Sequence, residues 1–390
     1  MRKELGLKMT ALSLIFIVIS ACGNNKKTTA EPYQIEIDTS QSQTFERIFD
    51  AAQNAKLIGL GEQTHGAGTV FTFKVDFIKW LHQNKGVNVI ALESGMYDVL
   101  KLVERMHQGE SLVDIAPNNI FYMYSKTTEV QQLLRYIDAT KNTENPLTLV
   151  GFDSQHTGET SLQYLVNDLQ QYVVNELKLT SSIDWSLLQK VLENDSFDES
   201  EKTTVTAFLT ELENAFNTQT DSFWHRIVIG LHSQALRQWQ QSDSRSYEMG
   251  RNIEWQANQY ANEKMVIWAH SYHLMKKGGP TLNAGEHLAN SFGQEYFMLH
   301  FSAISGSFLN FVNMEIQNVA ALKDGSVEYD ISRSNSFDQH FVNGSSALWR
   351  NKSIWAFNYD VQFPWDMWSS QYDGTVVFDN ITPANFDHSL

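Results

Sequence analysis

The chain has one cysteine in 390 residues, Cys22. An intramolecular disulfide and every CxxC zinc or redox motif are therefore excluded. Proline is scarce, at 6, and glycine numbers 21, which excludes collagen-like, mucin-like and proline-rich disordered chains. Basic residues are in deficit: 29 Lys+Arg against 45 Asp+Glu leave a net charge of −16, with no basic block anywhere. Non-specific nucleic-acid binding needs clustered cations that displace counterions, so a polynucleotide partner is excluded. Long apolar runs are also missing, and none reaches the length that crosses about 30 Å of hydrocarbon.

The longest apolar run, Met9 to Ala21, follows Arg2, Lys3 and Lys8 and ends at Cys22. Its 13 residues have the length and flanks of a signal-peptide core. Ile19-Ser20-Ala21-Cys22 resembles a bacterial lipobox, which implies removal of residues 1–21, lipidation of Cys22 and a mature chain of 390 − 21 = 369 residues. Residues 22–34 are polar and aperiodic, a flexible tether. The expected product is an exported bacterial lipoprotein, membrane-anchored at Cys22 through lipid only, with residues 35–390 as its extracytoplasmic domain.

In that domain, short β-branched and aliphatic runs alternate with helical patterns. Lys56–Leu60, Val87–Leu92, Leu147–Phe152 and Met265–Trp268 read as buried strands, followed by Tyr296–Ile304, Phe308–Met314, Ile354–Phe357 and Val376–Phe378. Val70, Phe73, Phe77, Ile78 and Leu81 mark a helix over residues 70–83, so the first two strands form a βαβ unit. This predicts an α/β fold, a mostly parallel core sheet flanked by helices. Residues 157–244 lack strand signals and carry helical periodicity, and are expected to form a helical insertion capping a cleft.

The first four strands each run into ionisable residues: Glu62 and His65, then Glu93, then Asp153, then His270 and His273. Open parallel sheets bind ligands at the carboxyl ends of their strands, so these groups should converge. A carboxylate beside an imidazole fixes its tautomer and raises its basicity, as a general base for water requires. Glu93 after an apolar strand is near-buried and needs a partner. Gly61 and Gly66 are expected to let the backbone turn and approach a substrate.

Taken in order, LIGLGEQTHG, Phe73-Lys74, VIALESG, LVGFDSQ, RSYEMGRNIEW and KMVIWAHSYH resemble the motif series of the erythromycin esterase family. The resemblance continues through GQEYFMLHFSAISGSF, WRNKSIWAFNYDVQFPWDMW and FDNITPA, and so covers about Lys56 to Ala384. It implies an α/β core with a helical cap and hydrolysis of a carboxylic ester or macrolactone, a small-molecule substrate, by activated water. Carried over, His65 is the base, Glu62 supports it, and Glu93 orients water or the imidazole. His270 and His273 stabilise the oxyanion and protonate the leaving alkoxide. Lys74 stands at a basic family position, and Asp153, Arg245 and Asn252 match further positions, the four being grouped with substrate binding.

Three residues depart from the pattern: Gln63 where a small residue is usual, Thr69 where an acid is frequent, and Tyr124 where the aromatic is often Trp. They border the expected cleft and put macrolide specificity, and a role in antibiotic resistance, in question more than hydrolysis.

No cofactor is implied. Glu62, His65, Glu93, His270 and His273 would nevertheless suffice in type to bind a divalent ion, which leaves a metal-dependent hydrolase of amide or peptide bonds as an alternative. HExxH is absent, and one imidazole nitrogen cannot be both base and metal ligand, so the metal-free reading is preferred. A ligand-binding lipoprotein without turnover is the third reading. The aromatic tail Trp355, Phe357, Tyr359, Phe363, Trp365 and Trp368 reads as core more than as a substrate wall.

Overall fold

Ten short strands and the helices between them make up the fold, described in a computed structural model for residues 39–179, 183–216, 222–277, 282–334 and 338–389. The expected signal segment, Cys22 and the expected tether lie outside the described residues. Among the described residues, no helix is long and apolar enough to cross a membrane.

The strands are β1 (Leu57–Glu62), β2 (Val87–Gly95), β3 (Thr148–Asp153), β4 (Lys264–His270), β5 (Tyr296–Leu309), β6 (Ile316–Asn318), β7 (Gln339–Asn343), β8 (Ser353–Ala356), β9 (Val361–Pro364) and β10 (Gly374–Ile381). The main sheet runs β3-β2-β4-β1-β5-β10-β7, with β6 added to the far end of β5. All neighbours along it are parallel except β10 with β7, and β5 with β6. This is the mostly parallel α/β sheet expected. Every residue of β1 is buried, as are all but one of β2, because helices cover both faces of a parallel sheet.

β1 and β2 are parallel, as expected, and β4, some two hundred residues later, sits between them and pairs with both. One expectation is corrected. The strand anticipated over Phe308–Met314 stops at Leu309, since Asn310 Oδ1 accepts the Val312 N–H (2.9 Å) and Met314 N–H closes a turn on Asn310 O (2.8 Å). β8 and β9 form a separate antiparallel pair.

The helix Gly68–Lys85 links β1 to β2 and ends on Gly86, whose φ of 65° only glycine adopts without strain. Between β3 and β4 the described residues are helical or irregular. The helices Val166–Asn175, Ser186–Leu192, Glu199–Phe216 and Phe223–Gln238 share an apolar cluster that includes Met96 and Tyr97 of the helix Met96–His107. Asp98 ties this helical stretch to the sheet: its carboxylate accepts from Gly158 N (3.2 Å), Ser161 N (2.7 Å) and Ser161 Oγ (2.7 Å). Sheet and helical stretch together belong to one compact unit, Asp38–Leu390.

Of the aromatic tail, Trp355, Tyr359, Trp365 and Trp368 are buried core. Phe357 is half-buried, its ring against His270, Tyr272 and Phe363.

Candidate active site

Since β3, β2, β4 and β1 are consecutive in the sheet, their carboxyl ends lie side by side, with Glu62 in register with His270 and Asp153 with Gly95. The register of β2 slips between Leu92 and Gly95, and this irregularity carries Glu93. A cavity of about 930 Å3 opens over these ends, lined among others by His65, Glu93, Asp153, Arg245, His270 and His273.

Glu62 is completely buried and receives three donors. Lys74 donates to Oε2, while Tyr124 Oη (2.9 Å) and His65 Nδ1 (3.1 Å) donate to Oε1. Burial alone would raise its pKa, but the Lys74 and His65 partners overcome that and hold it near 2. A carboxylate only accepts, so His65 carries its proton on Nδ1 and its Nε2 lone pair is free. That nitrogen bonds to no described side chain, and the ring lines the cavity between Phe121 (4.8 Å) and Phe311 (5.0 Å between centroids).

Glu93 is held from two directions. Its Oε2 accepts the backbone N–H of His270 (2.9 Å), and its Oε1 lies 3.3 Å from Arg245 Nη2 and 3.4 Å from His273 Nε2. Arg245 grips Asp153 in a bidentate pair, Nε to Oδ1 at 3.0 Å and Nη2 to Oδ2 at 2.5 Å. Burial would lower the pKa of Arg245, yet Asp153 and Glu93 raise it above its ordinary value.

Burial favours the neutral form of His270, the last residue of β4, and of His273 after it. His270 Nε2–H donates to Gln63 O (2.8 Å), and Nδ1 accepts from Tyr272 N (3.1 Å), so backbone groups occupy both nitrogens. Burial, then the nearby His65, depress its pKa to about 4. This geometry leaves His270 no nitrogen for an oxyanion or an alkoxide. It positions Gln63 and the turn into residue 272. His273 contacts Ser246 Oγ through Nδ1 (2.9 Å), and burial and Arg245 bring its pKa to about 3.

Two residues grouped with substrate binding do not reach the cavity. Lys74 is fully buried, its ammonium on Glu62 and Leu60 O (2.6 Å), because its helix turns that face toward β1. Asn252, also fully buried, donates to Phe152 O (3.0 Å) and accepts from Arg226 Nε (2.7 Å), bracing the strand that ends in Asp153. The glycines of the first loop make close approaches too, though to the protein itself. A Cβ on Gly66 would stand 1.7 Å from Leu309 O, and one on Gly61 2.2 Å from Met298 Cε. Gly66→Ala is expected to destabilise the protein by about 1–3 kcal/mol, read from urea unfolding, because backbone must shift.

The departures also find places. Gln63 donates to Phe301 O (2.9 Å) and Trp355 O (3.2 Å), Thr69 bonds Thr382 (3.0 Å), and Tyr124 bonds Glu62. Residue reading missed Asp98 and the aromatic walls Phe121, Tyr122 and Phe311. Phe121, Tyr122 and Tyr124 form a visible aromatic run, but nothing in it signals proximity to β1. Among the described residues, no three His, Cys, Asp or Glu side chains group as a metal would require.

Known proteins bear on this arrangement. Residues 82–381 match the family model described as erythromycin esterase. A curated Bacillus subtilis protein, "Putative hydrolase YbfO", is 23% identical over 385 residues, 84% of each chain. The fold is similar to a mutant of the erythromycin esterase EreC in its open conformation, with TM-score 0.67 and 16% identity over 88% of this chain and 95% of that one. A Bacillus cereus protein of solved structure gives TM-score 0.66 at 19% identity, over 88% of this chain and 93% of that one. With the family model spanning three of the four strand ends and the sheet beyond them, the chain belongs to the erythromycin esterase family.

Proposed function

We propose that this family hydrolase opens a carboxylic ester or lactone with water activated by His65. The observation that carries the reading is the buried Glu62–His65 pair, which leaves Nε2 with a free lone pair on a ring that lines the cavity. His65 Nε2 takes a proton from water as the oxygen attacks the substrate carbonyl, and Glu62 stabilises the imidazolium that forms. The carbonyl π electrons move to its oxygen, where the Arg245 guanidinium is the donor at hand, while His273, held by Ser246 on Nδ1 and by Arg245 and Glu93 at Nε2, orients that guanidinium. Collapse of the tetrahedral adduct breaks the C–O bond, and the His65 imidazolium returns its proton to the leaving alkoxide. Atoms balance as ester plus water giving acid plus alcohol.

His65→Ala is expected to lower kcat by at least about a hundredfold while the protein stays folded by circular dichroism. Mass spectrometry of simple lactones, 4-nitrophenyl esters and macrolides, incubated with soluble protein beginning after Cys22, reads the product. Wild-type turnover in that variant would sink the assignment. The cavity volume falls in the range of small-molecule sites, which supports a compact or cyclic substrate.

Lipid anchoring at Cys22 is part of the same proposal and is supported by the residues around it. Radiolabelled palmitate should enter the wild-type protein in a bacterial host and not Cys22→Ser, with the variant recovered in the soluble fraction.

A further inference from the structure

Glu62 has two carboxylate oxygens and three donors, and the third is the hydroxyl of Tyr124. Lys74 on Oε2 fixes one end of the carboxylate but leaves it free to rotate about the line to that oxygen. A second donor on Oε1, arriving from another element, removes the rotation. The lone pair that remains on Oε1 then faces His65 Nδ1.

We infer that Tyr124 is a positioning residue: its hydroxyl, by hydrogen-bonding Glu62 Oε1, locks the carboxylate in the one orientation that serves His65. The inference rests on His65 being the base. Tyr124 is fully buried and lines no part of the cavity, so it acts through Glu62 alone. Burial and the neighbouring Glu62 push its pKa well above 10, which keeps the donor proton in place at any working pH.

Its setting gives the contact a second consequence. Tyr124 belongs to the segment whose preceding residues, Phe121 and Tyr122, form cavity wall. The Phe121 ring packs on both His65 (4.8 Å) and Tyr124 (5.1 Å). Tyr122 Oη donates to Phe311 O, another residue of the cavity lining. The strip that walls the cavity therefore also holds the carboxylate behind the base, through the Tyr124 hydroxyl.

Tyr124→Phe removes a single oxygen and keeps the ring packing against Phe71 and Trp268. With 4-nitrophenyl butyrate as the probe, kcat should fall about tenfold, the worth of one hydrogen bond to a charged group. KM should stay within about twofold, since no substrate contact is lost, and the solvent deuterium isotope effect on kcat should rise as proton transfer becomes limiting. A merely structural role would lower the unfolding midpoint and leave the isotope effect unmoved. Tyr124→Leu, which also removes the ring, should lose stability in addition and no less kcat.

His65→Ala, assayed alongside, separates the two readings. If that variant is inactive while Tyr124→Phe matches wild type in kcat and isotope effect, the positioning role falls and the base stands. If His65→Ala keeps wild-type kcat, both fall.

Discussion

Glu62→Gln is expected to cost at least about a thousandfold in kcat/KM and about 3–5 kcal/mol in stability. The two losses have different causes. In the fully buried pocket the Lys74 ammonium has Glu62 as its counter-ion, reinforced by the Leu60 carbonyl and by the Trp268 ring 4.6 Å away. The amide removes that charge, and burial already depresses Lys74 to about 8, so the unpaired ammonium must either stay at a desolvation penalty or lose its proton. The loss in turnover arises on the other oxygen. A neutral amide cannot stabilise the His65 imidazolium, and it presents an N–H to donors that expect an acceptor. Pairing the change with Lys74→Met separates the effects. The double variant should regain most of the stability in urea unfolding and none of the turnover. A Glu62→Gln protein with wild-type kcat/KM would remove Glu62 from the mechanism.

How much of this was legible in the residues depends on the range of the interaction. Four buried strands ending in charge could be read locally, because a parallel strand buried on both faces leaves an aliphatic run and functional groups gather where it stops. Convergence of Glu62, Glu93, Asp153 and His270 followed from that rule. The order of the strands did not follow, since β4 enters between β1 and β2 from far along the chain and no local pattern records it. Lys74 shows the same limit at helix scale. Its position was noted from the family pattern, but only the rotation of its helix against β1 decides that the ammonium meets Glu62 and not the cavity. His270 was placed at the site by its strand, whereas its protonation follows from two backbone contacts, Gln63 O and Tyr272 N. Asn310 ended β5 through a side chain turning back on its own backbone, a competition that β-propensity does not register.

The same buried histidines are expected to make the fold lose stability in acid. His156 and His270 are held to about 4, and His273 and His300 to about 3, burial being the largest cause for each, against 6.5 in the unfolded chain. Below pH 6.5 the unfolded chain binds protons that the folded one refuses. Their contribution to stability is therefore complete above 6.5 and is lost as pH falls toward 4. Asp98 acts oppositely: burial raises it from 3.8 to about 6, so between those values the folded carboxyl takes up a proton that the unfolded one does not. Glu62, depressed from 4.5 to about 2, adds a further loss below 4.5 only. Burial also lowers His82, which adds to the histidine side, and raises Asp76 and Glu328, which add to the carboxyl side. The histidines prevail near pH 5, at about 1.4 kcal/mol per pH unit for each net proton withheld. Thermal unfolding followed by circular dichroism from pH 7.5 to 4.5 should show a Tm constant above pH 6.5 and falling steeply below it. His156 lies outside the proposed catalytic set, so His156→Asn should shed about one proton from that slope while leaving kcat at pH 7.5 unchanged. A Tm that stays flat from pH 7 to 5 would show that these imidazoles are not kept neutral by burial.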